Sequence, residues 1–75
     1  MDIRIEYCAA WSYEPEAVSL TEQLLNEYKQ QVNSLTLASY NDGRFEVFVD
    51  GKKIYSKKAT GRFPEYEEVR KALKQ

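Results

Sequence analysis

Asp2-Ile3-Arg4-Ile5-Glu6-Tyr7-Cys8-Ala9-Ala10-Trp11-Ser12-Tyr13-Glu14-Pro15 supplies a strand, a loop and a helix start, and the rest of the chain must pack on that unit. Residues 2–7 alternate polar and apolar. That pattern predicts a strand with Ile3, Ile5 and Tyr7 on one face and Arg4 and Glu6 on the other. Pro15 suits only the first turn of a helix, because an interior proline loses a hydrogen bond and clashes with the preceding turn. Ser12 is a candidate N-cap. Ala17, Leu20, Leu24 and Tyr28 then recur at helical spacing, with Val18 and Leu25 beside them. Glu14 and Glu16 sit at the positive end of this helix and Lys29 at its negative end.

The remaining chain reads as strands and one further helix. Residues 32–40 hold a second strand, with Leu35 and Leu37 on one face. Asn41-Asp42-Gly43 is a turn. Phe45, Val47 and Val49 alternate with Glu46 and Phe48 in a third strand, and Asp50-Gly51 signals a two-residue hairpin into a fourth at 52–57. Gly61-Arg62-Phe63-Pro64 breaks the pattern. A short helix follows, with Tyr66, Val69 and Leu73 on its inner stripe. The order β-α-β-β-β-α implies a parallel pair joined by a right-handed crossover, then an antiparallel hairpin. No helix separates the second and third strands. We therefore expect a two-layer α+β fold: a four-stranded mixed sheet with both helices on one face. The open face would show Arg4, Glu6, Thr36, Ala38, Glu46 and Phe48.

Composition narrows the chemistry. The 75 residues suffice for one domain, 1–75. Without histidine there is no Ser-His-Asp triad and no His metal ligand. A single cysteine, Cys8, excludes an intramolecular disulfide and a Cys-rich zinc site. The glycines do not match a phosphate-cradling spacing, so no cofactor and no metal are expected. No apolar run is long enough to span a membrane and no leader is visible, and the free thiol suits a reducing, cytoplasmic setting. The net charge of −1 is unevenly spread. Residues 1–50 carry three basic and nine acidic side chains, and residues 51–75 eight basic and three acidic. Helix-dipole matching accounts for much of this pattern.

Cys8 ends the first strand and precedes the helix. Thiol redox proteins place a cysteine at such a junction, where the loop exposes the sulfur and a helix start favours thiolate. With Pro15 in the first turn, however, Cys8 lies several residues before the helix, and the dipole effect fades within a turn. The plainer reading is an inert, half-buried small hydrophobe.

Tyr7-Cys8-Ala9-Ala10-Trp11-Ser12-Tyr13-Glu14-Pro15-Glu16-Ala17 resembles the redox loop of the selenoprotein W-like (Rdx) family. In that family a strand leads into Cys-x-x-Cys or Cys-x-x-selenocysteine and a Tyr-x-Pro helix entry. Gly43-Arg44-Phe45-Glu46-Val47-Phe48-Val49-Asp50-Gly51-Lys52 is similar to the family's Gly-x-Phe-Glu-Val-x-Val-x-Gly hairpin. Ser56-Lys57-Lys58 and Gly61-Arg62-Phe63-Pro64 resemble the stretch before its last helix. The resemblance spans nearly the whole chain and implies a thioredoxin-like fold. It carries a redox position onto Cys8. Trp11 stands where the second cysteine or selenocysteine would be, so no intramolecular disulfide can form.

Two functions follow as expectations. One is monothiol chemistry at Cys8, forming a mixed disulfide with glutathione or a protein partner that an external thiol resolves. The alternative is a redox-inactive protein-binding module using the Cys8–Trp11 loop and the open sheet face. Its candidate partner surface is Trp11, Tyr13 and Phe48, although an aromatic placed like Tyr13 commonly packs back onto the helix. Phe48 and its neighbours also offer a surface for a homodimer. Tyr40, Tyr55, Lys52, Lys53, Lys57, Lys58 and Arg62 suggest a nucleic-acid platform. Glu6, Glu46 and a sequence pI near 5.4 argue against it.

Overall fold

In the computed structural model, which describes residues 1–74, the elements follow the expected order with one addition. They are β1 (Asp2–Cys8), α1 (Glu14–Tyr28), β2 (Ser34–Tyr40), β3 (Phe45–Val49), β4 (Lys52–Ser56), α2 (Lys57–Thr60) and α3 (Tyr66–Leu73). A 3₁₀ turn at Lys29–Gln31 links α1 to β2. The addition is α2, a single turn with Ser56 as its N-cap and Gly61 in the left-handed conformation at its end. Its four residues are too few to show helical periodicity.

The sheet order is β2-β1-β3-β4. β1 is central and pairs parallel to β2 and antiparallel to β3. Asp50 and Gly51 both take positive φ, 50° and 82°, giving the primed turn that matches strand twist. The β3–β4 register slips between Val47 and Phe48, leaving Ile54 as an extra residue on β4. This bulge lets adjacent Ile54 and Tyr55 both pack against the core. Tyr55 pairs with Val47 and is 8% exposed, so it belongs to the core and not to the open face.

Both helices cover one face. Ile3, Ile5, Phe45 and Val47 from the sheet meet Ala17, Leu20 and Leu24 of α1 and Val69 of α3. Tyr66 on α3 donates to the Gln23 carbonyl at 3.2 Å and to Glu27 at 2.8 Å, and Arg70 pairs with Glu27 at 2.9 Å. These bonds fix the helices side by side. A reciprocal capping box between Glu65 and Glu68 starts α3.

One local expectation is corrected. Ser12 is not the N-cap: Tyr13 holds that position, and no side chain caps the helix. Val18 and Leu25 are not core residues but are 54% and 44% exposed. Leu37 faces the helix layer but lies on an edge strand and is 41% exposed.

Candidate functional site

The site begins where β1 ends. Tyr13 donates its backbone N–H to the Cys8 carbonyl at 3.0 Å, and Ser12 donates to the Ala9 carbonyl at 3.0 Å. The two nested bonds, with Ser12 at φ 61°, close residues 8–13 as a paperclip turn of the kind that ends helices. Glycine usually takes that left-handed position, and a serine there costs about 1 kcal/mol. The turn projects Trp11 outward, 61% exposed. One edge of its indole lies on Gly43: a Cβ there would sit 2.5 Å from Trp11 Cζ3. Position 43 also has φ 82°, so glycine is required on two counts. Tyr13 packs edge-on against Trp11 at 6.1 Å and Phe63 at 4.8 Å, and the Lys57 ammonium lies 5.3 Å from the Tyr13 ring centroid.

Cys8 is fully buried, at 0% exposure. It is nonetheless absent from the apolar cluster beneath the helices. Strand alternation explains this, because Cys8 shares the parity of Arg4 and Glu6 and so belongs to the open face. The register places Tyr40 beside Cys8 on β2. From the β3 side the Arg44 guanidinium stacks on the Tyr40 ring at 3.7 Å. Both residues also bond Glu6, Arg44 at 2.8 Å and the Tyr40 hydroxyl at 3.3 Å. An Arg44–Tyr40–Glu6 bridge thus spans β1 at the level of the cysteine.

This face is more closed than its charges suggest. Glu6 and Glu46 were expected in water, yet they are 9% and 7% exposed and sit directly opposite each other. Neighbouring cations hold them: Arg4 and Arg44 on Glu6, and Lys53 on Glu46 at 3.1 Å. Burial pushes the Glu6 carboxyl up. The hydrogen bonds from Arg4 and Arg44 more than offset that, leaving it below its ordinary value. Asp42 is pulled down to about 2, first by its hydrogen bonds from the Arg44 side chain. The second oxygen of Glu46 is buried without a partner. Phe48 is half-buried under Lys53 and pairs with Arg4, toward the opposite end of the face from the loop. It stands four residues along β3 from Arg44, roughly 13 Å at strand rise. The structure therefore joins Trp11 with Tyr13 and leaves Phe48 apart.

Tyr40, Gly43 and Arg44 complete the neighbourhood. Sequence reading gave Tyr40 only a tentative place on the face and gave Arg44 no role beyond the motif. The signal that finds them is the β1–β2 register, which strand alternation alone does not fix. Among the described residues no group of acidic and cysteine side chains is arranged to hold a metal ion.

A family model described as the Rdx family matches residues 2–75. The chain belongs to the Rdx family. Selenoprotein W of sheep, Ovis aries, is 35% identical over 57 residues, 75% of this chain and 66% of the sheep protein. The chain thus spans just under two thirds of that relative's length. A selenoprotein W-related protein from Vibrio cholerae superposes with a TM-score of 0.92 at 27% identity, covering 97% of this chain and 91% of that one. A Bordetella parapertussis protein superposes with a TM-score of 0.92 at 20% identity, covering 97% and 92%, a likeness of fold alone. The fold is the thioredoxin-like α+β arrangement of selenoprotein W-related proteins, and Rdx membership suggests a redox-related function. No helix is long and apolar enough to cross a membrane among the described residues.

Proposed function

We propose that this Rdx chain works as a protein-binding module built on a redox fold, with Trp11 as anchor and Cys8 as a packing residue. The observation that carries this reading is a reversal of exposure. The thiol is 0% exposed, while Trp11, three residues on, is 61% exposed. A buried thiol does not meet a disulfide. A large aromatic held on a fixed turn supplies contact area at little entropic cost. Arg44 and Tyr40, adjoining Gly43, extend the surface with two further side-chain types enriched at interfaces.

A second reading is favoured by the face to which Cys8 belongs. Cys8 has the strand parity of the layer that carries no helix. Local opening would let a Cys8 thiolate attack oxidised glutathione. The Cys8–glutathione S–S bond would form, the glutathione S–S bond would break, and one glutathione thiolate would leave. A reduced glutathione attacking the glutathione sulfur of the mixed disulfide would break the Cys8 S–S bond, release oxidised glutathione and restore the Cys8 thiol.

Alkylation of the folded protein, followed by intact mass, separates the two. The binding reading predicts labelling at least about a hundredfold slower than a free cysteine, with full labelling in denaturant. Labelling near the free rate, together with a glutathione adduct, would replace it with the monothiol reading.

A further inference from the structure

The two edges of the sheet are built differently. β4 begins Lys52-Lys53, carries a bulge and runs into α2, all devices that blunt an edge. β2 has none of them. Ser34-Leu35-Thr36-Leu37-Ala38-Ser39-Tyr40 is seven residues long and contains no charge and no proline. Its pairing to β1 is continuous from Ser34 to Tyr40, without a register shift. Among the described residues its outer side has no neighbouring strand. One row of backbone N–H and C=O groups therefore lacks a ladder partner.

The helix above this edge is also unusual. α3 holds the flank of α1 that carries Gln23 and Glu27. Val18 and Leu25 lie about 140–180° around the helix from those residues at 100° per residue, on the flank turned away from α3 and toward β2. Leu37, at the midpoint of β2, points to the same layer as its register partner Ile5. Val18, Leu25 and Leu37 are three of the four exposed large hydrophobics among the described residues. They gather on one side of the molecule, beside an unpaired strand.

We propose that β2 pairs antiparallel with β2 of a second copy of this chain, joining two sheets into one of eight strands. The strand's self-complementarity argues for a second copy over another occupant. A two-fold axis at Leu37 pairs all seven residues, sets Leu37 against itself, Leu35 against Ser39 and Thr36 against Ala38, and opposes no like charges. The same axis brings the Val18–Leu25 flanks of the two α1 helices to the same side of the joined sheet. The pairing runs along the β2 edge, so it takes in Tyr40 at its end but neither Trp11 nor Phe48.

Sedimentation velocity from low micromolar to near-millimolar protein tests the assembly. Wild type should show a reversible monomer–dimer equilibrium. Leu37→Lys places two cations face to face and should weaken it more than about tenfold with unchanged far-ultraviolet circular dichroism. If Leu37→Lys misfolds, Val18→Glu on the exposed flank of α1 should weaken association in the same direction. Leu37→Cys should cross-link two chains through that position under mild oxidant, and this reports the axis directly. A monomer at every concentration would overturn the proposal. So would a dimer that survives Leu37→Lys and Val18→Glu but is lost in Phe48→Glu, which would place the contact on the open sheet face.

Discussion

The two faces of the sheet solve the same problem by different chemistry. Beneath the helices, Ile3, Ile5, Phe45 and Val47 are 0–2% exposed and belong to one apolar cluster. On the open face Glu6 and Glu46 are nearly as buried, but their cover is made of long cationic and aromatic side chains. The first face is held chiefly by area removed from water. The second depends on charge-assisted bonds whose partners keep their outer parts in solvent. Burial alone therefore says little about what a residue contributes.

Substitutions at matched positions should widen or collapse this contrast. The largest effect is expected at Phe45. Phe45→Ala removes a fully buried ring and should cost about 3–5 kcal/mol in urea unfolding. A loss under about 1 kcal/mol would mean that the helix face is not close-packed. Next is Glu6→Ala, which strips three side-chain partners of their shared acceptor and should cost about 2 kcal/mol.

The pH dependence of Glu6 carries a sign. Its folded value lies below its unfolded one, so its contribution is complete above an ordinary carboxylate pKa of about 4.3. It is lost as pH falls through the lowered folded value. Glu6→Gln should flatten the acid limb of the urea midpoint, and an unchanged limb would assign acid sensitivity elsewhere.

Arg44→Ala opens the bridge beside Cys8 and should raise native-state alkylation about tenfold, while leaving labelling in denaturant unchanged. An unaltered rate would show that the turn at residues 8–13, and not the bridge, protects the thiol. The smallest change is expected at Phe48, the open-face counterpart of Phe45. Because its ring stays partly in solvent, Phe48→Ala should cost about 1 kcal/mol. A cost approaching that of Phe45→Ala would erase the distinction between the faces.

Local and periodic signals were legible in the sequence. The alternation of residues 2–7 and 45–49, the Pro15 helix start, the Asp50-Gly51 turn and the β-α-β-β-β-α order all follow from interactions within a few residues. So do the open-face residues Arg4, Glu6, Thr36, Ala38, Glu46 and Phe48, since strand parity assigns them. The motif around Cys8 also announced the Rdx family. The tertiary structure decided what parity and spacing cannot carry. The strand order made β2 an edge and left Leu37 exposed. The bulge at Ile54 turned Tyr55 into the core. The register set Tyr40 beside Cys8, where Arg44 closes over the strand, and the fold left Cys8 fully buried. The strand order and the β1–β2 register depend on contacts between residues about thirty or more positions apart, and the bulge depends on a slip within one hairpin; neither leaves a periodic trace in the chain.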